Sequence, residues 1–268
     1  MARRLLPIAA VAVLSAPAGS LIAASGDQAV DLELVLAVDI SRSMDPEEFA
    51  VQRAGYVAAL RHPDFIRAIG YGANGRIALT YFEWAGSVHA SSQVEWRIID
   101  GAESANAFAD TLERRPAATF RGTSVSAALR HAAMRLEEND IRATRKVIDI
   151  SGDGPNNIGG PVVEARKAAI SQGITINGLP ILIRPSPSVG DLDAYYAECV
   201  TGGPGSFVLP VRAASEFANA IRRKLILEVS GADLPAVVKN AAQSPVDCQI
   251  GEKLRRTYSD PYLPELDR

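Results

Sequence analysis

The stretch LELVLAVDISRSMD, residues 32 to 45, decides the fold class that the sequence predicts. Its first part, Leu32 to Ile40, would place apolar residues on both faces of a strand, which is typical of a central parallel strand covered on each side. The apolar run stops at a carboxylate, Asp39, and hydroxyls follow at alternate positions, Ser41 and Ser43. The stretch therefore predicts a buried strand with oxygen-bearing side chains gathered at its end.

Beyond this strand, short β-rich segments alternate with longer segments of helical periodicity. The predicted strands are 32–40, 76–84, 93–99, 146–151, 174–183 and 206–211, and the predicted helices are 46–60, 102–113, 124–138, 161–172, 191–199 and 214–229. Such alternation indicates a parallel sheet with connecting helices packed on both sides. The predicted fold is α/β, with a doubly wound, mostly parallel central sheet and helices on both faces.

Residues 1–25 have the features of an export signal. Arg3 and Arg4 make the start positive, and the apolar residues 5–14 are followed by small residues at which a signal peptidase could cut. A retained membrane anchor is the alternative, but a span takes about 20 apolar residues and Pro17 interrupts this run. We therefore expect an exported protein, periplasmic or secreted, with no transmembrane span in the mature chain.

The rest of the chain divides into a domain at 26–231 and a C-terminal tail at 232–268. The tail contains four prolines and little apolar periodicity. The chain has two cysteines, Cys199 and Cys248, and an even, low count in an exported protein suggests a single disulfide, which would tether the tail to the domain. Two free buried thiols are the alternative.

Three polar loops should meet at one edge of the predicted sheet, because ligands bind at the carboxyl ends of strands in such folds. Besides Asp39, Ser41 and Ser43, this edge would receive Arg-Gly-Thr-Ser at 121–124 and Ser-Gly-Asp-Gly at 151–154. Oxygen-only ligands favour a hard divalent cation, Mg²⁺ foremost, with Mn²⁺ or Ca²⁺ as alternatives. Two carboxylates balance such an ion, so it would remain attractive to an acidic group of a partner.

The order and spacing of these loops resemble the metal-ion-dependent adhesion site of von Willebrand factor A-type (VWA) domains. That family's motif is D-x-S-x-S followed by a distant Thr and a distant Asp, and the resemblance covers about residues 31–229. It implies a metal site whose residues are Asp39, Ser41, Ser43, Thr123 and Asp153. The hydroxyls would contact the ion directly, and the carboxylates mainly through water, or directly when no partner ligand is bound. The resemblance also implies an exported bacterial subgroup and a non-enzymatic module whose protein partner presents Asp or Glu.

Each loop also has a local interpretation. Asp39 could cap its own turn, with the serines in local hydrogen bonds, and Thr123 or Ser124 could be the N-cap of the next helix. Three such loops at one edge favour a shared metal site over three separate explanations. The loop after Ser151 is richer in glycine and asparagine than in many relatives of the VWA family, so the approach of Asp153 to the ion is left open.

Other classes of function have less support. The chain has 28 basic and 31 acidic residues and a net charge of −3, so we expect no nucleic-acid partner. Residues 70–75 match G-x-G-x-x-G, but they precede a strand, and we expect a turn and no dinucleotide. The main alternative is a metal-dependent phosphotransfer or hydrolytic enzyme with Asp39 as nucleophile. No lysine accompanies the motifs, and the hydroxyls at 41 and 43 do not titrate near neutral pH, so a binding module is preferred.

Overall fold

The structure, a computed structural model, describes residues 29–44, 46–116, 118–184, 191–231 and 245–259. The export signal predicted at 1–25 lies outside these residues. Within them, no helix has both the length and the apolar character needed to cross a membrane.

A five-stranded sheet forms the middle layer of the described part of the chain. Its strands are β1 (Ala29–Asp39), β2 (Ile77–Trp84), β3 (Val94–Ile99), β4 (Arg142–Gly152) and β5 (Thr175–Pro180). They lie in the order β3-β2-β1-β4-β5, and every neighbouring pair is parallel except β2 with β3. The predicted doubly wound, mostly parallel α/β fold is therefore confirmed.

Helices cover both faces of this sheet. In the described residues they are α1 (Pro46–Leu60), α2 (Pro63–Gly70), α3 (Ala102–Glu113), α4 (Val125–Glu137), α5 (Val162–Ser171), α6 (Leu192–Tyr195), α7 (Phe217–Ser230) and α8 (Ile250–Ser259). Buried side chains of α1, α2, α3 and α7 form one apolar layer, and those of α4, α5 and α6 form the other.

The alternation of β1 supplies both layers. Leu34 and Leu36 pack with α1 and α7, whereas Val35 and Ala37 pack with α4 and α5, and all four are fully buried. A strand covered on both sides needs apolar residues at successive positions, and this requirement explains the run that ends at Asp39.

The strand register brings the ends of β1 and β4 to one edge of the sheet. Val38 lies opposite Ser151, and Asp39 lies opposite Trp84 of β2. Beyond the strand, Ser41 forms an isolated bridge with Phe120, which draws the loop before α4 to the same edge. The three polar loops predicted to meet therefore do meet.

The edge of the sheet beyond β5 differs from the prediction. Segment 206–211 is not a strand; isolated bridges join Val208 to Gly178 of β5 and Val211 to Ile181, just beyond β5. Pro210 cannot donate a ladder hydrogen bond, which limits regular pairing there. The predicted strand at 174–183 ends at Pro180, whereas the helix predicted at 191–199 is present as α6 continued by a π-helix at Tyr196–Val200.

The C-terminal segment contains a helix, α8, that apolar periodicity did not predict. The Cys199–Cys248 disulfide is formed and fixes the chain just before α8. A Cβ on Gly251 would lie 2.2 Å from the carbonyl oxygen of Asn156, so the helix backbone rests directly on the loop after β4. Glu252 Oε1 accepts a 2.7 Å hydrogen bond from Asn156 Nδ2. Residues 232–244 and 260–268 of the predicted tail lie outside the described residues.

A buried ion cluster joins α7 to the sheet. Lys224 Nζ lies 2.7 Å from Asp149 Oδ1 of β4 and also pairs with Glu228, one turn along α7. Asn177 Nδ2 donates to Glu228 Oε1 at 3.0 Å. Burial, and then the charge of Asp149, raise the pKa of Glu228 to about 7 although Lys224 lowers it. With both acids ionised, one buried ammonium faces two carboxylates.

Candidate metal centre

Asp39 stands at the end of β1 with its two carboxylate oxygens in different surroundings. Oδ1 accepts a 2.7 Å hydrogen bond from the backbone N–H of Ser41, as the local-turn interpretation predicts. Oδ2 is buried and has no hydrogen-bond partner among the described residues. The local turn therefore satisfies Oδ1 and leaves Oδ2 without a hydrogen bond, which is costly for a buried charged group.

Ser41, Ser43 and Asp153 form a contiguous polar cluster. Ser41 Oγ and Ser43 Oγ are 2.9 Å apart, and Ser43 Oγ donates to Asp153 Oδ1 at 2.7 Å. Ser41 Oγ lies 3.4 Å from the same carboxylate oxygen. Two loops separated by more than 100 positions in the chain therefore meet through their side-chain oxygens.

Thr123 reaches this cluster from the loop before α4. Asn157 holds its backbone on both sides, since Thr123 N donates to Asn157 Oδ1 at 2.9 Å and Asn157 N donates to Thr123 O at 2.8 Å. Thr123 Oγ1 lies 4.0 Å from where a Cβ on Gly154 would stand, so it faces the residue that follows Asp153. Ser124, in contrast, is the N-cap of α4 and accepts from Ala127 N.

The two carboxylates of the site disfavour each other's charge. Burial raises the pKa of Asp39 well above its ordinary value, and nearby Asp153 raises it further. Burial also raises the pKa of Asp153, against the hydrogen bonds from Ser43 and Ser41. Neither acid has a Lys, Arg or His ion-pair partner within the described residues. A buried acid and a half-buried acid that lie close together without an ion-pair partner make this edge favourable for a bound cation.

The backbone at the end of β4 packs tightly against the site. A Cβ on Gly152 would lie 2.6 Å from Tyr196 Oη and 2.9 Å from Asp39 Oδ2. The hydroxyl of Tyr196 is buried without a hydrogen-bond partner in the part of the chain described, and burial followed by the charges of Asp39 and Asp153 raises its pKa. Only glycine leaves room here for both oxygens.

The donor set fits a hard divalent cation. It consists of three hydroxyls and two carboxylates, one of which has an oxygen without a partner, and oxygen ligands of this kind suit Mg²⁺, Mn²⁺ or Ca²⁺. No group of three or more His, Cys, Asp and Glu side chains in the described ranges could hold a metal. A cation at this edge would therefore need hydroxyl and water oxygens in addition to the two acids.

Several residues around the centre were not predicted from sequence. Asn156 accepts from Ser126 N at 2.9 Å and donates to Glu252, so it joins α4, the loop after β4 and α8. Asn157 positions Thr123, and Tyr196 lies beneath Gly152. The asparagine-rich composition of the loop was visible in the sequence, but the partners of those side chains were not.

The profile of a family described as "Protein of unknown function (DUF1194)" matches residues 29–233. Among curated protein sequences, no significant match was found.

Solved structures share the fold at low sequence identity. The pilus adhesin SpaC from Lactobacillus rhamnosus GG superposes with a TM-score of 0.56 at 15% identity, over 75% of this chain and 31% of that chain. Proximal thread matrix protein 1 from the mussel byssus, solved with a zinc-occupied MIDAS motif, superposes with a TM-score of 0.52 at 14% identity, over 75% of this chain and 48% of that chain. A von Willebrand factor type A structure from Catenulispora acidiphila has a TM-score of 0.52 at 15% identity, over 75% of this chain and 43% of that chain. The chain spans less than half the length of each, and the likeness shows a VWA-type fold.

Proposed function

The chain belongs to the family described as Protein of unknown function (DUF1194), and from its VWA-type fold and polar cluster we propose that it is a protein-binding module that holds an acidic group of a partner through a divalent cation. Mg²⁺ is the first candidate, with Mn²⁺ and Ca²⁺ as alternatives. The export expected from residues 1–25 would bring this module to the periplasm or outside the cell.

Three hydroxyls and two carboxylates would hold the ion. Ser41, Ser43 and Thr123 would contact it directly, and Asp39 and Asp153 would approach through water or directly. Two carboxylates neutralise a divalent cation, so the bound ion would supply a further coordination position for one oxygen of an acidic partner side chain. The chain's own part is to hold these oxygens in place, with Asn157 fixing Thr123 and Gly152 admitting Asp39.

One observation carries the proposal: side chains from three distant loops converge, and neither of their two acids has an ion-pair partner among the described residues. The 2.7 Å contact between Ser43 and Asp153 joins two of the loops, and the closeness of Thr123 to Gly154 joins the third. The unpartnered Oδ2 of Asp39 adds a buried acceptor to the same cluster. A site built only for internal hydrogen bonding would satisfy that oxygen.

The enzymatic alternative has weaker support from this geometry. A nucleophilic Asp39 would need to reach a substrate, but its side chain is fully buried and one oxygen is already bound by Ser41 N.

A thermal unfolding experiment tests the cation site. At a concentration 100 times its Kd, Mg²⁺ would stabilise the folded chain by about 2.7 kcal/mol, which corresponds to a rise in Tm of roughly 5–10 °C for a domain of this size. Asp39→Ala and Thr123→Ala should abolish this rise. Ser124→Ala is the matched control, because it removes the neighbouring hydroxyl from a helix cap; it should lower Tm but keep the rise.

The partner can be sought with the same cation dependence. The oxidised protein, immobilised, would be used to capture proteins from the exported fraction with Mg²⁺ and then eluted with EDTA. A protein released by EDTA from the unmodified chain but not retained by Asp39→Ala would support the proposal. An equal rise in Tm for the unmodified chain and both site variants would show that the assigned residues do not hold the cation.

A further inference from the structure

The C-terminal helix reaches the rim of the proposed metal centre. Arg255 lies one turn after Gly251, and residues four apart share one side of a helix. Gly251 faces Asn156, and a Cβ on Gly122 would lie 3.5 Å from Nη1 of Arg255. Since Gly122 directly precedes Thr123, α8 brings a guanidinium group next to a proposed cation ligand.

Two more arginines border the same centre. Arg42 lies between Ser41 and Ser43 in the chain, and its backbone N–H donates to the carbonyl of Phe120 at 2.9 Å. Arg121 follows Phe120, and its carbonyl accepts from Gly86 N at 3.2 Å. The first contact joins the loops that carry Arg42 and Arg121, and the second joins the loop of Arg121 to the turn after β2.

We call Arg42, Arg121 and Arg255 the arginine rim. All three residues are exposed, and none of their side chains forms an ion pair or hydrogen bond within the described ranges of the chain. Elsewhere on the surface, Arg61, Arg135 and Arg212 pair with acids. Three exposed arginines carried by two loops and a helix beside one centre attract negative charge, most strongly at low ionic strength.

An exposed aromatic side chain lies within the rim. Phe120 is 40% exposed, and its ring stacks on His89 with the centroids 3.6 Å apart. Its N–H donates to Ile40 O at 3.1 Å, which fixes the backbone beside Ser41. The stacked pair therefore offers a supported apolar surface next to the arginines, of the kind that aromatic anchors of protein interfaces contact.

We propose that the arginine rim and Phe120 form a docking surface for an acidic segment of a partner protein, with several carboxylates beside an apolar residue. The inference rests on the proposed function, since one carboxylate of the segment would bind the cation. Asp39 and Asp153 already balance the charge of that ion, so the rim charges remain to pair with further carboxylates. The partner is therefore recognised by a run of acids and not by a single one.

Charge complementarity favours a protein segment over nucleic acid. A chain that follows a phosphate backbone presents a long basic face, whereas this chain has a net charge of −3 and the arginine rim comprises only three residues. An acidic segment of a few residues matches that extent. Arg255 belongs to the disulfide-fixed α8, so the surface requires the C-terminal helix as well as the domain.

Fluorescence anisotropy with a labelled peptide tests the docking surface. The probe is a ten-residue peptide with one Asp, one Phe and three Glu, and its partner probe replaces the three Glu by Gln. With the full oxidised chain in Mg²⁺ and low salt, we expect the acidic peptide to bind about 10-fold or more tightly than the Gln peptide, since each exposed ion pair contributes a few-fold. Arg42→Gln, Arg121→Gln and Arg255→Gln in combination should abolish the difference.

A matched triple variant controls for net charge. Arg97, Arg223 and Arg256 are exposed, and Arg256 adjoins Arg255 but points about 100° away around α8. Changing these three to Gln should leave the preference for the acidic peptide largely intact. Equal losses in both triple variants, or no preference in the unmodified chain, would overturn the docking surface.

Two further results separate the inference from the proposed function. If Mg²⁺ raises Tm as expected but the rim variant binds the acidic peptide as tightly as the unmodified chain, the docking surface alone is overturned. If the rim variant loses the preference for the acidic peptide but Mg²⁺ does not raise Tm, the docking surface is supported and the proposed cation site is overturned. A single-stranded oligonucleotide that binds more tightly than the acidic peptide and is lost in the rim variant would overturn the assignment to a protein segment.

Discussion

Thr123 and Ser124 are neighbours with equivalent hydroxyl chemistry but different roles. Ser124 accepts from Ala127 N and donates to Ile158 O at 3.0 Å, so helix capping and loop contact use its hydroxyl. Thr123 is fixed through its backbone by Asn157, which leaves its hydroxyl directed to the polar cluster. The capping alternative that the sequence left open therefore applies to Ser124, and Thr123 is available as a ligand.

Asn157→Ala is predicted to weaken cation binding without disrupting the fold. The change removes the acceptor for Thr123 N–H, and a hydrogen bond of this kind contributes about 0.5–1.5 kcal/mol. We expect the affinity for Mg²⁺, measured by isothermal titration calorimetry, to fall about 3- to 10-fold. Asn157→Asp keeps an acceptor oxygen at the same place and should retain the affinity.

An unchanged affinity in Asn157→Ala would show that Thr123 needs no support from the loop after β4. A circular dichroism spectrum equal to that of the unmodified chain is the accompanying check on the fold.

At the scale of helices and strands, the sequence predicted the elements with strong periodicity. β1, β2 and β4 carry apolar runs that end near polar loops, and both the parallel sheet and the convergence of the loops follow from those runs. Segment 206–211 has the composition of a strand, yet its backbone pairs through isolated bridges, because Pro210 cannot donate a ladder hydrogen bond. α8 could not be predicted from apolar periodicity, since its position depends on a disulfide and on contacts with Asn156.

The contacts of α8 explain why a weakly apolar segment is ordered. Val246 and Ile250 pack against the layer formed by α4, α5 and α6, next to Cys248. Glu252 accepts a hydrogen bond from the buried side-chain amide of Asn156, and Asn156 Oδ1 accepts one from the backbone N–H of Ser126. The helix therefore supports the loop that holds Thr123, although it contributes none of the five proposed ligands.

Removal of the disulfide is predicted to loosen α8 and the loop beneath it. The bond closes a sequence separation of 49 residues, for which the chain-entropy model gives at most about 4 kcal/mol. In a Cys199→Ala and Cys248→Ala variant, we expect hydrogen exchange to accelerate at 250–259 and 155–158, while β1 and β4 stay protected. Reducing the unmodified chain should give the same pattern, and the same reductant should leave the variant unchanged.

If protection from hydrogen exchange at 155–158 does not depend on the disulfide, α8 does not support the loop at the metal centre. The docking surface would then lose its C-terminal contribution, while the five proposed ligands would be unaffected.

At the scale of the whole molecule, the described residues hold two pairs of acids with raised pKa values, which lie apart in the fold. One pair belongs to the proposed cation site at the end of β1, and the other belongs to the cluster of Lys224, Asp149 and Glu228 between the sheet and α7. The second cluster carries its own cation, but one ammonium does not balance two carboxylates. Burial and the charge of Asp149 therefore hold the pKa of Glu228 at about 7.

This excess charge predicts how stability depends on pH. The pKa of Glu228 is about 7 in the folded chain and close to the ordinary 4.5 in the unfolded chain, so folding favours the protonated acid. Unfolding then releases a proton between about pH 4.5 and pH 7, and the free energy of unfolding decreases as pH rises through that window. The decrease attributable to Glu228 would be about 3 kcal/mol in total and would level off about one unit above the folded-state pKa.

Glu228→Gln should remove this contribution. The remaining pair of Lys224 and Asp149 is neutral, and glutamine retains an oxygen that can accept from Asn177. We expect the variant to gain stability relative to the unmodified chain as pH increases from 5 to 8, measured by urea unfolding in EDTA. Asp39 and Asp153 titrate in both proteins, so their effects cancel in the difference, and the exposed Glu137→Gln serves as the control. If the difference in unfolding free energy between Glu228→Gln and the unmodified chain stays constant from pH 5 to 8, Glu228 is ionised throughout and Lys224 compensates both acids.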